Sequence, residues 1–219
     1  MTNTSGPVRR VELVHDFVCA RSYIGFTRLV RAVRRYEDEG GAVRLVLRPF
    51  QIRPGTPAEP EPLFEVHRRD RGEEIARAIR ADTTLGAADG LRFRFDRALF
   101  TSTWAAHRLR ARAVAQGRGV AMTERLFRAY FTDGLHLSDP AVLARLAEEA
   151  GVVTDGDGGS DAGTDALRAE LGRTRALGSE TGPVFRFGDG TASTVLAEEQ
   201  PEEALLAALR GSKMSSTER

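Results

Sequence analysis

Apolar residues crowd the stretch from Val11 to Val18, then recur at helical spacing at Phe26, Leu29, Val30 and Val33. The first pattern predicts a strand over 8–17 and the second a helix over 23–37. Gly40 and Gly41 end that helix, since glycine supplies the positive φ that a helix terminus often needs. Val43, Leu45 and Leu47 then alternate with Arg44, Val46 and Arg48, which predicts a second strand over 42–50. Strand, helix and strand in such close succession read as a parallel βαβ unit.

Pro54, Pro57, Pro60 and Pro62 make a stretch that cannot lie inside a helix, so it reads as a linker. Helices are expected over 63–71, 73–85, 102–116, 122–132 and 140–150, with a short extended piece where Leu91, Phe93 and Phe95 alternate with arginines. Asp139 suits an N-cap and Pro140 a first helical position. Residues 151–164 are of low complexity and read as a flexible segment without regular structure. Asp155 and Asp157 mimic the start of a calcium loop, but Gly159, Ser160 and Ala166 stand where its later ligands and its turn glycine belong. A helix over 165–177 follows, then a hairpin of strands 184–187 and 191–196 around Gly188, Asp189 and Gly190. A last helix begins at Pro201, presents Leu205, Leu206 and Leu209 on one face, and ends at Gly211.

Composition narrows the partners. The 219 residues carry a formal net charge of +1, which gives no global field to draw nucleic acid or anionic membrane. Neither partner is expected. Positive charge is nearly all arginine, with Lys213 the sole lysine. Residues 1–10 are polar and hold no apolar segment of the signal-peptide kind, so a cytoplasmic location is expected. One cysteine, Cys19, excludes an internal disulfide.

Cys19 falls where the first strand hands over to the first helix. A thiol at a helix N-terminus lies near unpaired backbone N–H groups and the positive end of the dipole, which favours the nucleophilic thiolate. The bland alternative is a half-buried structural cysteine. Arg21 adds positive potential or is simply a solvated arginine. His15 and Asp16 precede the cysteine, but neighbours on a regular strand point to opposite faces, which disfavours a His15–Cys19 dyad. His67, His107 and His136 show no metal-ligand spacing, and no metal is expected. Trp104, Phe127, Tyr130 and Phe131 are expected in the core. Arg92, Arg94, Arg108, Arg110 and Arg112 lie among acids and read as a solvated face.

The run Asp16-Phe-Val-Cys19-Ala-Arg-Ser22-Tyr-Ile-Gly25 resembles the Asp-x-Val-Cys-Pro-Trp-Cys-Tyr-Ile-Gly signature of FrnE-like proteins in the DsbA family. The likeness continues through Arg48-Pro49-Phe50-Gln51, Leu91 to Asp96, Thr103 to Arg108 and Glu124 to Phe131, in the same order. It implies an α/β, thioredoxin-like fold with an inserted all-helical domain. The thioredoxin-like part would comprise 8–57 and 167–212, and the insertion 58–166 with its flexible 151–164 segment. The family's second active-site cysteine is Ser22 here, and its Pro-Trp is Ala20-Arg21. Without a second thiolate to attack the mixed disulfide made by the first, autonomous dithiol oxidase chemistry is ruled out.

Thr181-Gly182-Pro183-Val184-Phe185 resembles the family segment whose proline is cis and faces the active-site cysteine. The resemblance therefore implies a cis Gly182–Pro183 bond whose backbone holds a substrate beside Cys19. The implied site has Cys19 as nucleophile and Ser22 as hydrogen-bond donor to it, with Arg21, Gly182, Pro183 and His107 as substrate-binding residues. The expected function is a monothiol thiol-disulfide oxidoreductase whose mixed disulfide an external thiol resolves. No cofactor is expected to be permanently bound, and a low-molecular-weight thiol is the candidate transient one. Candidate partners are a small thiol or disulfide, a protein thiol or a natural-product intermediate, and a homodimer is left open. Two alternatives stand beside this. One is a redox-inactive binding or scaffold module, motivated by the losses at Ser22, Ser102 and Gly182. The other resembles kappa-class glutathione transferases and 2-hydroxychromene-2-carboxylate isomerase, in which serine takes the first motif position, where this chain has Cys19.

Overall fold

The structure is a computed structural model that describes residues 8–154, 161–176, 182–188 and 194–211. Strand β1 (Arg9–His15) leads into helix α1 (Ala20–Asp38), and β2 (Val43–Pro49) returns beside β1. Their pairing is parallel, with Val11 opposite Leu45 and Leu13 opposite Leu47, as the alternation at 43–47 predicts. Gly40, at φ 89°, turns the chain out of α1.

Helices then dominate: α2 (Leu63–Arg71), α3 (Glu73–Ala81), α4 (Trp104–Ala115), α5 (Gly119–Arg128), α6 (Pro140–Glu149) and α7 (Asp161–Ala176). A single π-helical turn, Ala129–Asp133, continues α5. The N-cap of α6 is as expected, with the Asp139 carboxylate accepting from the N–H groups of Ala141 and Val142 and Pro140 in the first turn. Two expectations need correction. The 91–95 piece joins no strand ladder, and its aromatics turn inward: Phe93 and Phe95 stack on each other, and the Arg94 N–H bonds the carbonyl of Phe131. The low-complexity segment is helical from Asp161, because α7 packs against β2 and α4, which outweighs the poor local propensity. The calcium-loop residues Asp155 and Asp157, and the turn between the last two strands, lie outside the described residues.

Strands β3 (Val184–Phe187) and β4 (Thr194–Ala197) complete the sheet, and α8 (Glu202–Arg210) follows, closed by Gly211 at φ 73°. The strand order is β2-β1-β3-β4, with β3 antiparallel to both neighbours and Leu13 opposite Phe185. β1 is central and covered on both faces. Leu13 and Val14 point opposite ways and are both fully buried. α1 packs on α8, while α7 lies on β2.

An aromatic core joins α1 to α5. Tyr23 stacks on Phe127 with ring centres 5.0 Å apart, and Phe93 meets Phe131 edge to face at 4.9 Å. Each such pair contributes about 0.5–1.5 kcal/mol beyond area burial. Phe127, Tyr130 and Phe131 are core, as expected, but Trp104 is half-buried beneath the guanidinium of Arg168. Arg110 also departs from the solvated face expected of it. It is 2% exposed and donates to the carbonyl of Leu47 at 2.6 Å, tethering α4 to β2. Among the described residues no helix is long and apolar enough to cross a membrane.

Candidate active site at Cys19

β1 ends at His15 because the chain must turn before α1, and Cys19 is the residue that makes the turn. It occupies the N-cap of α1 in an extended conformation, φ −99° and ψ 111°, with its N–H on the carbonyl of Asp16 at 3.2 Å. The first turn of α1 holds no acidic residue, so the positive helix end is not offset within its own helix. Cys19 as a residue is partly exposed.

Its ionisation departs from the expectation. Burial pushes the Cys19 pKa above the ordinary thiol value. The Ser22 hydroxyl and the N–H groups of Ser22 and Arg21 pull it down, and Asp16 pushes it further up. Desolvation outweighs the helix end, because a thiolate loses more from missing water than a few oriented dipoles return. The sulfur is therefore a thiol near neutral pH, and the anticipated lowered pKa is not realised.

Ser22 is fully buried, and its Oγ has no hydrogen-bond partner among the described residues. Its hydroxyl is among the groups that favour the Cys19 thiolate. Arg21 points outward, more than half exposed, and meets the Glu198 carboxylate at 3.5 Å. Glu198 has φ 60°, the left-handed region, and is the one non-glycine residue there among those described. Such a conformation costs about 1–3 kcal/mol, and it clusters at ligand clamps and switches.

The Gly182–Pro183 segment leads into β3. No cis peptide bond occurs among the described residues, so this bond is trans, against the expectation. The turn comes instead from Gly182, at φ 75°, a conformation that glycine adopts at little cost. Pro183 nevertheless packs on the start of α1. A Cβ built at Gly25 would lie 3.4 Å from the Pro183 ring and 2.9 Å from Phe185. A Cβ at Gly182 would lie 4.0 Å from the Cα of Glu198. Gly182 and Pro183 are both buried, so this loop presents little side chain to a ligand.

Asp16, His15 and His107 form a group of buried polar side chains. Asp16 is 2% exposed, and its Oδ2 accepts from the Ile52 N–H at 2.8 Å. Its Oδ1 is 3.6 Å from His107 Nε2, which lies 2.9 Å from the Phe50 carbonyl. His107 is fully buried against the 50–52 loop, in keeping with the packing role that the sequence allows it beside a substrate-binding one. Burial holds its pKa below the ordinary histidine value, with Asp16 opposing. His15 is also fully buried, packed on Phe17, Phe127 and His107, and forms no dyad with Cys19. Its pKa lies well below the ordinary value because of burial, then His107 and Arg110. His15 Nε2, Asp16 Oδ1, His107 Nδ1 and Tyr130 Oη are buried without a hydrogen-bond partner among the described residues, the 3.6 Å approach of Asp16 Oδ1 to His107 being too long for one. His136 is occupied elsewhere, 2.7 Å from the Ala58 carbonyl, and no metal-ligating cluster of His, Cys, Asp and Glu forms among the described residues.

The sequence points to Cys19, Ser22 and the Pro183 loop and gives no sign of the Arg21–Glu198 pair. No motif surrounds Glu198, and only the fold brings the end of β4 to the start of α1.

This frame is matched by a family model for the DSBA-like thioredoxin domain over residues 10–209. The chain belongs to that family. Similar solved structures agree. A probable DsbA oxidoreductase from Streptomyces coelicolor is 26% identical, with TM-score 0.78 over 96% of this chain and 94% of that one. The cytosolic disulfide reductase DsbM from Pseudomonas aeruginosa is 24% identical, with TM-score 0.59 over 92% and 97%. A 2-hydroxychromene-2-carboxylate isomerase shares the fold at 12% identity and TM-score 0.62, over 92% and 93%. No curated protein matches the sequence significantly.

Proposed function

We propose that this DSBA-like protein is a monothiol thiol-disulfide exchanger. Cys19 attacks one sulfur of a disulfide, the old S–S bond breaks, and the departing thiolate takes up a proton. An external thiol then attacks the mixed disulfide and frees Cys19. One observation carries the reading: the chain's single cysteine, a partly exposed residue, stands at the N-cap of α1. Family membership supports exchange chemistry, and the similarity to a probable DsbA oxidoreductase adds to it. Ser22 cannot resolve the adduct, so the second thiol comes from outside. No resident cofactor is required, and a cytoplasmic setting, where small thiols are abundant, suits the scheme.

The test is the intact mass after exposure to a neutral disulfide such as 2-hydroxyethyl disulfide. One adduct, absent from Cys19→Ser and removed by added thiol, is expected. An unmodified mass under conditions where free cysteine reacts refutes the proposal. A second reading, a redox-inactive module, is favoured by the trans Gly182–Pro183 bond and the raised thiol pKa. It requires Cys19→Ala to leave cellular function intact.

A further inference from the structure

A cavity of about 610 Å3 opens between α4, α6 and α7. α4 presents Arg108, Leu109 and Arg112 to it, at three- and four-residue spacing. His107 and Arg110 lie on the opposite face of that helix, where they meet the Phe50 and Leu47 carbonyls. The cavity is therefore separate from the Cys19 site. Its volume falls within the range of small-molecule sites, about 300–1,000 Å3. Leu109, Leu143 of α6 and Leu167 of α7 give it apolar walls, and Ala144 and Ala166 leave the room between them. No aromatic side chain lines it among the described residues, so a ring has nothing to stack on and an aliphatic body fits better.

Its charge is one-sided. Glu170 lines it too, but that carboxylate is engaged by Arg48 at 3.1 Å and faces Arg110 at 3.9 Å. Arg108 is half-buried and has no hydrogen bond or ion pair among the described residues. Arg28, Arg48 and Arg125, half-buried as well, pair with Asp89, Glu12 and Asp133. Drawing a guanidinium out of water without a partner costs free energy, which a bound anion returns.

We propose that this cavity binds an amphipathic carboxylate, its aliphatic chain along the leucine walls and its carboxylate on the guanidinium fork of Arg108. The inference goes beyond the exchange reading and does not depend on it. An anion is preferred to a cation or a neutral analogue of the same chain length, because only the anion gives Arg108 a partner. Affinity should climb about fourfold for each methylene buried, until the cavity is filled.

The test is calorimetric titration of the full chain with octanoate, hexanoate, 1-octanol and octyltrimethylammonium. Octanoate is expected to bind saturably at one site, at least tenfold more tightly than each of the other three. Arg108→Gln should abolish its lead over 1-octanol and leave 1-octanol unchanged, while Arg108→Lys should restore part of that lead. Ala166→Phe and Ala144→Leu, which fill the cavity, should weaken octanoate and 1-octanol alike, with circular dichroism confirming that each variant is folded. Cys19→Ser should bind octanoate as the wild type does. Absence of saturable octanoate binding, equal affinity for the anion and the cation, or a lead that survives Arg108→Gln overturns the proposal. So does loss of binding in Cys19→Ser, which would move the ligand to the thiol.

Discussion

His15 ought to make this protein acid-sensitive by a calculable amount. Its ring is fully buried, and burial, His107 and Arg110 hold its pKa well below the ordinary value of 6.5. A histidine depressed in the fold is neutral there but protonates in the unfolded chain. The stability it contributes is present above the unfolded pKa and lost as pH falls below it. While the assay pH stays above the folded pKa, the loss depends only on the unfolded one. Between about pH 7.5 and about pH 5.0 it amounts to about 2 kcal/mol. His15→Leu removes this term and keeps a side chain of similar volume among Phe17, Phe127 and His107. It also removes Nε2, a buried atom without a partner among the described residues, and Nδ1, which lies a weak 3.5 Å from the Leu13 carbonyl. Urea unfolding followed by circular dichroism at several pH values gives the difference between wild type and variant. The variant should be at least as stable near neutral pH, and should gain about 2 kcal/mol on the wild type by about pH 5.0. Parallel stability curves would refute a neutral, buried His15. A variant much weaker at neutral pH would mean that the imidazole has a strong partner after all.

Four further outcomes can be measured. Alkylation of Cys19 should keep rising through about pH 9 without a plateau, because its pKa is raised. Asp16→Asn should shift that profile to lower pH, since the Asp16 charge opposes the thiolate, and an unshifted profile would remove Asp16 from the electrostatics of the site. Gly25→Ala places a Cβ 2.9 Å from the fully buried Phe185, and thermal unfolding should register a loss of about 1–3 kcal/mol; no loss would mean that α1 and β3 separate freely. Arg110→Met should leave stability within about 1 kcal/mol, because removing a buried cation offsets its bond to the Leu47 carbonyl, whereas a loss of several kcal/mol would make that tether dominant.

Features set by neighbouring residues were legible in the sequence. The alternation at 43–47 located β2, and Asp139 with Pro140 located the start of α6, because strand period and helix capping are local. The first helix begins at Ala20, earlier than periodicity implied, since Cys19 takes the cap and apolar spacing registers only from Phe26. Features set across the chain were not legible. Arg110 looks like a solvated arginine until α4 is laid against β2, where the Leu47 carbonyl accepts it. His107 looks like a cleft residue until the Phe50 carbonyl and Asp16 are brought to it. At the site itself, family resemblance located Cys19 and Pro183 but misled about two properties. A helix N-terminus suggests a low thiol pKa only while burial is ignored, and the proline suggested a cis bond that a left-handed Gly182 makes unnecessary.

The raised pKa of Cys19 changes what a single-cysteine member of this family is suited to do. In thiol exchange, a sulfur of high pKa is scarce as the attacking thiolate and slow as the leaving group. A dithiol protein cannot use such a sulfur well, since its own second thiolate must expel it at every turn. With Ser22 in that place, expulsion depends wholly on an outside thiol, and slow departure lengthens the life of the adduct. The Ser22 hydroxyl, unpartnered in the resting site, favours the thiolate when it is expelled but does not outweigh burial. On the monothiol reading, then, an adduct on Cys19 is expected to leave slowly. The same reasoning fixes an order of rates: release of a Cys19 adduct by added thiol should be slower than release of the same adduct from a free cysteine peptide. Release faster than from the peptide would show that the donors around the sulfur outweigh its burial, and the expectation of slow release would fail with it.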